Sequence, residues 1–142
     1  MNSKERFLAM LHGNPVDRVP VFPLLMFFAQ KRLGISYKTF ATDGKAMAEA
    51  QLNIRQKFNI DAITACSDAF RITADLGADM AYPDNAPPYA ASPLVKNETD
   101  FKGLKMPDFD HPKSRMNDRV KGVREMVEAA GDECMVFGWV DM

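Results

Sequence analysis

The sequence has little cysteine. Cys66 and Cys134 are its only two, and they lie far apart with no metal-ligand spacing. Charge of one sign is also missing. A net charge of −1 gives no electrostatic case for binding nucleic acid or an anionic membrane. Long hydrophobic runs are absent too. The longest, Val19 to Ala29, is interrupted by Pro20 and Pro23 and is too short to span a bilayer. The opening MNSKERF lacks the apolar stretch of a secretory leader. Two thiols without such a leader point to a reduced, cytoplasmic setting. No internal repeat or low-complexity tract is visible. What is present is 142 residues, enough for one domain with a real core. Ten methionines and ten phenylalanines supply soft, large side chains to fill it.

The chain is organised around Phe58 to Pro83, FNIDAITACSDAFRITADLGADMAYP. Ile60 to Thr64 reads as a strand buried on both faces, because its apolar residues are almost continuous. Cys66-Ser67-Asp68 ends that run with polar groups. A short helix follows, Ala69 to Leu76, closed by Gly77. A strand that ends in an acid and turns straight into a helix is half of a βαβ unit. In parallel α/β folds the chemistry sits at that end of the strands. Asp68 is therefore the first candidate catalytic residue. Ser67 and Asp68 are equally good N-cap residues, and the two roles are compatible.

The other elements follow in order. Asn2 to Leu11 reads as a helix with a capping box, Asn2 and Glu5, stopped by Gly13 and Pro15. Val19, Val21, Phe22 and Leu24 suggest a short or edge strand, since Pro20 and Pro23 cannot donate to a ladder. Met26 to Leu33 and Ser36 to Phe40 are short helical pieces. Asp43 to Phe58 is a capped helix with Met47, Ala50, Ile54 and Phe58 on one face. Ala78 to Tyr82 and Leu94-Val95 are short strand candidates. Pro83 to Ser114 is long for a connection, so it is expected to cover a site or to hold small local elements. Arg115 to Ala130 is a helix whose stripe reads Val120, Val123, Val127 and Ala130. Cys134 to Val140 is a final apolar strand. A buried strand at the end of such an order has no crossover helix to cover it. The chain is thus expected to be one partial domain, residues 1–142, of a larger α/β unit in which parallel strands alternate with helices.

Three segments resemble the uroporphyrinogen decarboxylase superfamily. They are KERFLAMLHGNPVDRVPVFPL, the stretch from Phe58 to Tyr82, and AAGDECMVFGWV. The resemblance implies a (β/α)8 TIM barrel. Such barrels need about 250 residues, so this chain matches only the N-terminal portion. In the decarboxylases the aspartate at the position of Asp68 hydrogen-bonds pyrrole N–H groups and offsets developing positive charge. A carboxylate suits that task because it accepts several bonds at once. The decarboxylases also carry an arginine-rich turn after their first strand, which binds substrate carboxylates. Here that region reads LLMFFAQKRLGI, with Phe27 and Phe28 near the expected arginines. Phe27, Phe28 and Ser67 are therefore the candidate substrate contacts.

The apolar replacement points to the superfamily's other branch, methyltransferases that work between corrinoid proteins and a thiol or folate. The resemblance then implies a tetrapyrrole or corrinoid-type ligand and a corrinoid protein as partner. It also implies a zinc in the full-length methyltransferase type, with no cofactor or metal site in this chain. Two alternatives stay open. One is a uroporphyrinogen decarboxylase of porphyrin biosynthesis, a lyase. The other is a non-catalytic fragment that self-associates through exposed barrel edges or requires a partner.

Overall fold

The computed structural model describes residues 1–140. Seven helices and four short strands follow in the order α1 (Ser3–Leu11), α2 (Met26–Leu33), α3 (Tyr37–Thr42), α4 (Gly44–Phe58), β1 (Ala62–Thr64), α5 (Arg71–Asp75), β2 (Met80–Ala81), β3 (Tyr89–Ala90), α6 (Glu98–Gly103), α7 (Arg115–Ala130) and β4 (Met135–Phe137). β1 and β4 pair in parallel, with Ala62 opposite Met135 and Thr64 opposite Phe137. Two parallel neighbours need a crossover between them, and α7 provides it. α7 packs along α4, and α4 in turn feeds β1. This is a partial barrel of parallel strands and helices. No helix among the described residues is long and apolar enough to cross a membrane.

Local chemistry explains the helix ends. The Asn2 side chain accepts from Glu5 N, and the Glu5 carboxylate accepts from Asn2 N, each at 2.8 Å, the expected capping box. Asp43 caps α4 by accepting from Lys45 N and Ala46 N. Asn59 ends α4 in the left-handed region at φ 50°, and Gly34 ends α2 at φ 77°.

The core gathers Tyr37, Phe40, Met47, Ala50, Ile54, Ile63, Met126 and Cys134. Ile63 and Val136 point to this helix side. Their alternate neighbours Ala62, Thr64, Met135 and Phe137 face the other way, into the barrel. There Phe137 stacks on Phe22 at 4.8 Å and meets Phe7 edge-on at 5.4 Å. The three rings form a floor under the strand pair.

Four expectations are corrected. The segment from Val19 to Leu24 forms no strand, and Val19 is 75% exposed. Its two prolines remove ladder donors, and Asp61 holds it instead. The buried Asp61 carboxylate accepts from Val21 N at 2.7 Å and from Arg6 and Arg18, while Asp61 N donates to Val21 O. Burial pushes the Asp61 pKa up, but Arg18, Val21 N–H, Ser3 and Arg6 outweigh it and bring it to about 2. Leu94-Val95 does not pair. Tyr89–Ala90 does, antiparallel to Met80–Ala81, so the long connection holds a hairpin strand and α6. Phe58 is exposed and leaves the α4 face that buries Met47, Ala50 and Ile54. On α7 the buried face is Arg115, Arg119, Gly122, Met126 and Ala130, while Val120 and Val127 are half exposed. Two arginines turn inward because buried acceptors await them at the end of β1.

Candidate functional site at the carboxyl end of the central strand

Beyond β1 the chain stays buried through Ala65, Cys66, Ser67 and Asp68. A buried acid has to be partnered, and the Asp68 carboxylate receives four bonds. Arg115 grips it with both terminal nitrogens, Nη1 to Oδ1 at 2.9 Å and Nη2 to Oδ2 at 2.7 Å. Ser67 Oγ donates to Oδ2 at 2.6 Å, and Phe70 N donates to Oδ1 at 3.0 Å. The Asp68 side chain is 1% exposed and that of Arg115 is 9% exposed. Burial raises the Asp68 pKa, but the Arg115 bonds and charge overcome it, with help from Ser67 and Phe70 N–H. The net shift is downward, so Asp68 is an anion at neutral pH. Arg115 answers in kind. Burial lowers its pKa, Asp68 more than compensates, and the guanidinium stays charged.

Two more arginines close the junction. Arg71 is fully buried and donates to Ser67 Oγ at 2.9 Å, Ala41 O at 3.1 Å, Arg115 O at 2.8 Å and Asp118 Oδ2 at 3.3 Å. Burial, then the positive charges of Arg115 and Arg119, draws its pKa down to about 10. Arg119 donates to Trp139 O and to Asp68 O. The Tyr82 ring, just past β2, lies 5.3 Å from the Arg115 guanidinium, so the hairpin caps the pair. Tyr37 OH donates to Ser67 O at 2.6 Å. Burial and the nearby Asp68 charge push the Tyr37 pKa up, which keeps its proton on as a donor.

The candidates from the sequence are not all brought together. Ser67 and Asp68 are adjacent and hydrogen-bonded. Phe27 reaches them at one remove, its ring 4.4 Å from Tyr37. Phe28 does not. It packs 5.3 Å from Phe58, at the α4 end that feeds the start of β1, away from Asp68. Met26 comes closer, its sulfur 3.5 Å from Cys66 Sγ. As a cap, Asp68 holds Phe70 N, so α5 starts at Arg71, two residues later than the spacing suggests. Sequence reasoning missed Arg71, Arg115, Arg119, Tyr37 and Tyr82. The signal was present in α7, where Arg115 and Arg119 stand in register with Gly122 and Met126.

The family model for uroporphyrinogen decarboxylase (URO-D) matches residues 2–141. This chain belongs to the uroporphyrinogen decarboxylase family. A search of curated proteins gave no significant match. Among solved structures, a methyltransferase from Methanosarcina mazei superposes with a TM-score of 0.80 at 19% identity. The match covers 97% of this chain and 42% of that one, so the chain spans well under half the length of that structure. At that identity the likeness shows the shared fold, a partial barrel.

The zinc that the methyltransferase resemblance implies belongs to the full-length type and was not expected among these residues. No three His, Cys, Asp or Glu side chains among them gather as a metal would require. Cys66 lies beyond the carboxyl end of β1, and Cys134 lies before the start of β4, at opposite ends of the parallel pair.

Proposed function

We propose that this segment belongs to the corrinoid-linked methyltransferase branch of the uroporphyrinogen decarboxylase family. In that reading a methyl group passes from a corrinoid to a thiol or folate acceptor. A corrinoid would supply the methyl group and keep the electron pair, and an acceptor thiol would release its proton as its sulfur takes the methyl. One observation carries the choice. The guanidiniums of Arg71 and Arg115, beside Asp68, are spent on protein acceptors rather than turned outward. An acid-rich tetrapyrrole calls for guanidiniums open to its carboxylates. Phe27, 38% exposed and backed by the buried Tyr37 ring, presents an aromatic face instead, suited to a flat, weakly charged ligand.

Within this reading Asp68 fixes Arg115 and the turn at the carboxyl end of the strands, and Ser67 orients it. Because four donors hold the carboxylate, it acts by positioning and does not shuttle a proton.

The test uses a full-length barrel that contains this segment. Methyl transfer from methylcobalamin to a thiol, followed by corrinoid absorbance, is expected. Decarboxylation of uroporphyrinogen by the same preparation is expected to be absent. Decarboxylation without methyl transfer would overturn the reading. In that barrel Asp68→Asn should abolish turnover in molecules that remain folded, with an unchanged circular dichroism spectrum but a lower unfolding midpoint, because Arg115 loses its charged partner.

A further inference from the structure

Ser67 has one hydroxyl proton, and the groups on either side of it dictate where that proton points. The hydroxyl donates to Asp68 Oδ2 at 2.6 Å and accepts from Arg71 Nη2 at 2.9 Å. A guanidinium has donors and no acceptor, and an ionised carboxylate has acceptors and no donor. The hydrogen bonds therefore run one way, from Arg71 through Ser67 to Asp68. Opposite charges at the two ends polarise the hydroxyl between them and strengthen both bonds. Ser67 and Arg71 are both fully buried, so bulk water does not compete for the hydroxyl.

Arg71 is itself tied down. Nη2 also donates to Ala41 O at 3.1 Å, and Nη1 donates to Arg115 O at 2.8 Å and to Asp118 Oδ2 at 3.3 Å. The guanidinium is thus fixed to α3 and twice to α7. The Ser67 carbonyl is held as well, by Tyr37 OH at 2.6 Å. Rotation of the hydroxyl about its carbon–oxygen bond is the freedom left to the serine, and Arg71 removes it.

We propose that Arg71 is a positioning residue: it acts on the Asp68 carboxylate, with which it shares no hydrogen bond, by turning the Ser67 hydroxyl toward it. The proposal deepens the methyltransferase reading and rests on it only for turnover. Charge at a distance has to be separated from this relay. Arg115 and Arg119 also face Asp68, Tyr37 and Tyr82 lie close by, and Asp118 sits behind Arg71. Arg71→Lys leaves every one of those groups in place and keeps the positive charge. A single ammonium cannot serve four acceptors, and the Asp118 carboxylate is the strongest of them, so the hydroxyl loses its guide.

The test uses the full-length barrel labelled with carbon-13 at its aspartate carboxyls, the Asp68 signal being the one that Asp68→Asn removes. In the wild type the Ser67 hydroxyl proton is expected to exchange slowly and to couple across its hydrogen bond to the Asp68 carboxyl carbon. Ser67→Ala should raise the Asp68 titration midpoint by about one pH unit, the shift that losing one bond to a charged group gives. Arg71→Lys should produce most of that rise and should erase the hydroxyl signal. Adding Arg71→Lys to Ser67→Ala should move the midpoint no further, because the intermediary is gone. Both single variants should lower kcat for methyl transfer and leave KM for methylcobalamin unchanged. The proposal is overturned if the wild-type hydroxyl proton shows no coupling to Asp68, a measurement that needs no variant to fold. It is overturned too if Arg71→Lys leaves the midpoint in place, or raises it equally with and without the Ser67 hydroxyl. A barrel that shows these signals but moves no methyl group contradicts the methyltransferase reading and leaves the relay standing.

Discussion

Arg115→Ala is expected to lower the free energy of unfolding by about 3–5 kcal/mol, the usual result of stranding one partner of a buried ion pair. The reason lies in the accounting at Asp68. Its side chain is 1% exposed and accepts two of its four bonds from Arg115. Without Arg115 a buried anion would keep only Ser67 Oγ and Phe70 N–H. Tyr82 would lose the cation under its ring, and Ala41 O would lose the 3.0 Å bond from Arg115 Nη2. Arg115→Lys should recover part of the loss, since it restores charge but not the paired geometry. The double variant Asp68→Leu/Arg115→Met should cost less than Arg115→Ala alone, because it removes both charges together. Urea unfolding followed by circular dichroism measures all three. Equal stability of Arg115→Ala and wild type would mean that the junction adds nothing to the fold.

Gly44→Ala is the second large effect, expected to destabilise by about 3 kcal/mol, at the upper end for overpacking. Alanine forms helix better than glycine by about 1 kcal/mol, so propensity alone predicts the opposite sign. Packing decides the sign. A Cβ on Gly44 would sit 2.3 Å from Asp118 O and 2.9 Å from Gly122 N, both backbone atoms that cannot swing aside. α4 and α7 therefore cross backbone to backbone at this glycine pair. Close approach there also lets Asp118 Oδ1 accept from Gly44 N at 2.8 Å. Gly103→Ala is the control, since a Cβ there meets nothing within 4 Å. It should be neutral or slightly stabilising in the same urea series.

Much of the scaffold was legible in the sequence, because capping and helix periodicity are local. Asn2, Asp43, Asn59 and Gly34 each mark a helix end that the structure confirms. The parallel pairing followed from the strand–helix order and from the apolar run before Ser67. The stretch around Pro20 was harder to read. Alternating Val and Phe suggested a strand, but the prolines left its backbone to be tied by the Asp61 carboxylate, a contact 40 residues away. The surroundings of the candidate site were harder still. The place of Asp68, beyond the carboxyl end of β1, could be read from the buried run before it. That of Arg115 could not, because a charged residue in the first turn of a helix ordinarily faces water. The Val120–Val127 stripe was read as the buried face for the same reason. Hydrophobic periodicity outweighed a polar face whose acceptors come from β1 and α3. Phe28 was named with Phe27 because both stand near the arginines expected from the family, yet neighbours on a helix point about 100° apart, and the two rings find different partners.

The pH dependence has a definite sign. An acid with a depressed folded-state pKa contributes stability above its unfolded value and loses it as pH falls through the folded value. The Asp68–Arg115 contribution is therefore complete at neutral pH and vanishes only in strong acid. The most direct test is a carbon-13 NMR titration of the Asp68 carboxyl, in wild type and in Arg115→Lys. The wild-type midpoint should fall below the ordinary aspartate value of 3.8 and should move upward when the paired guanidinium is lost. A wild-type midpoint at or above 3.8, unmoved by that substitution, would contradict an aspartate locked by the crossover helix at the mouth of the strands.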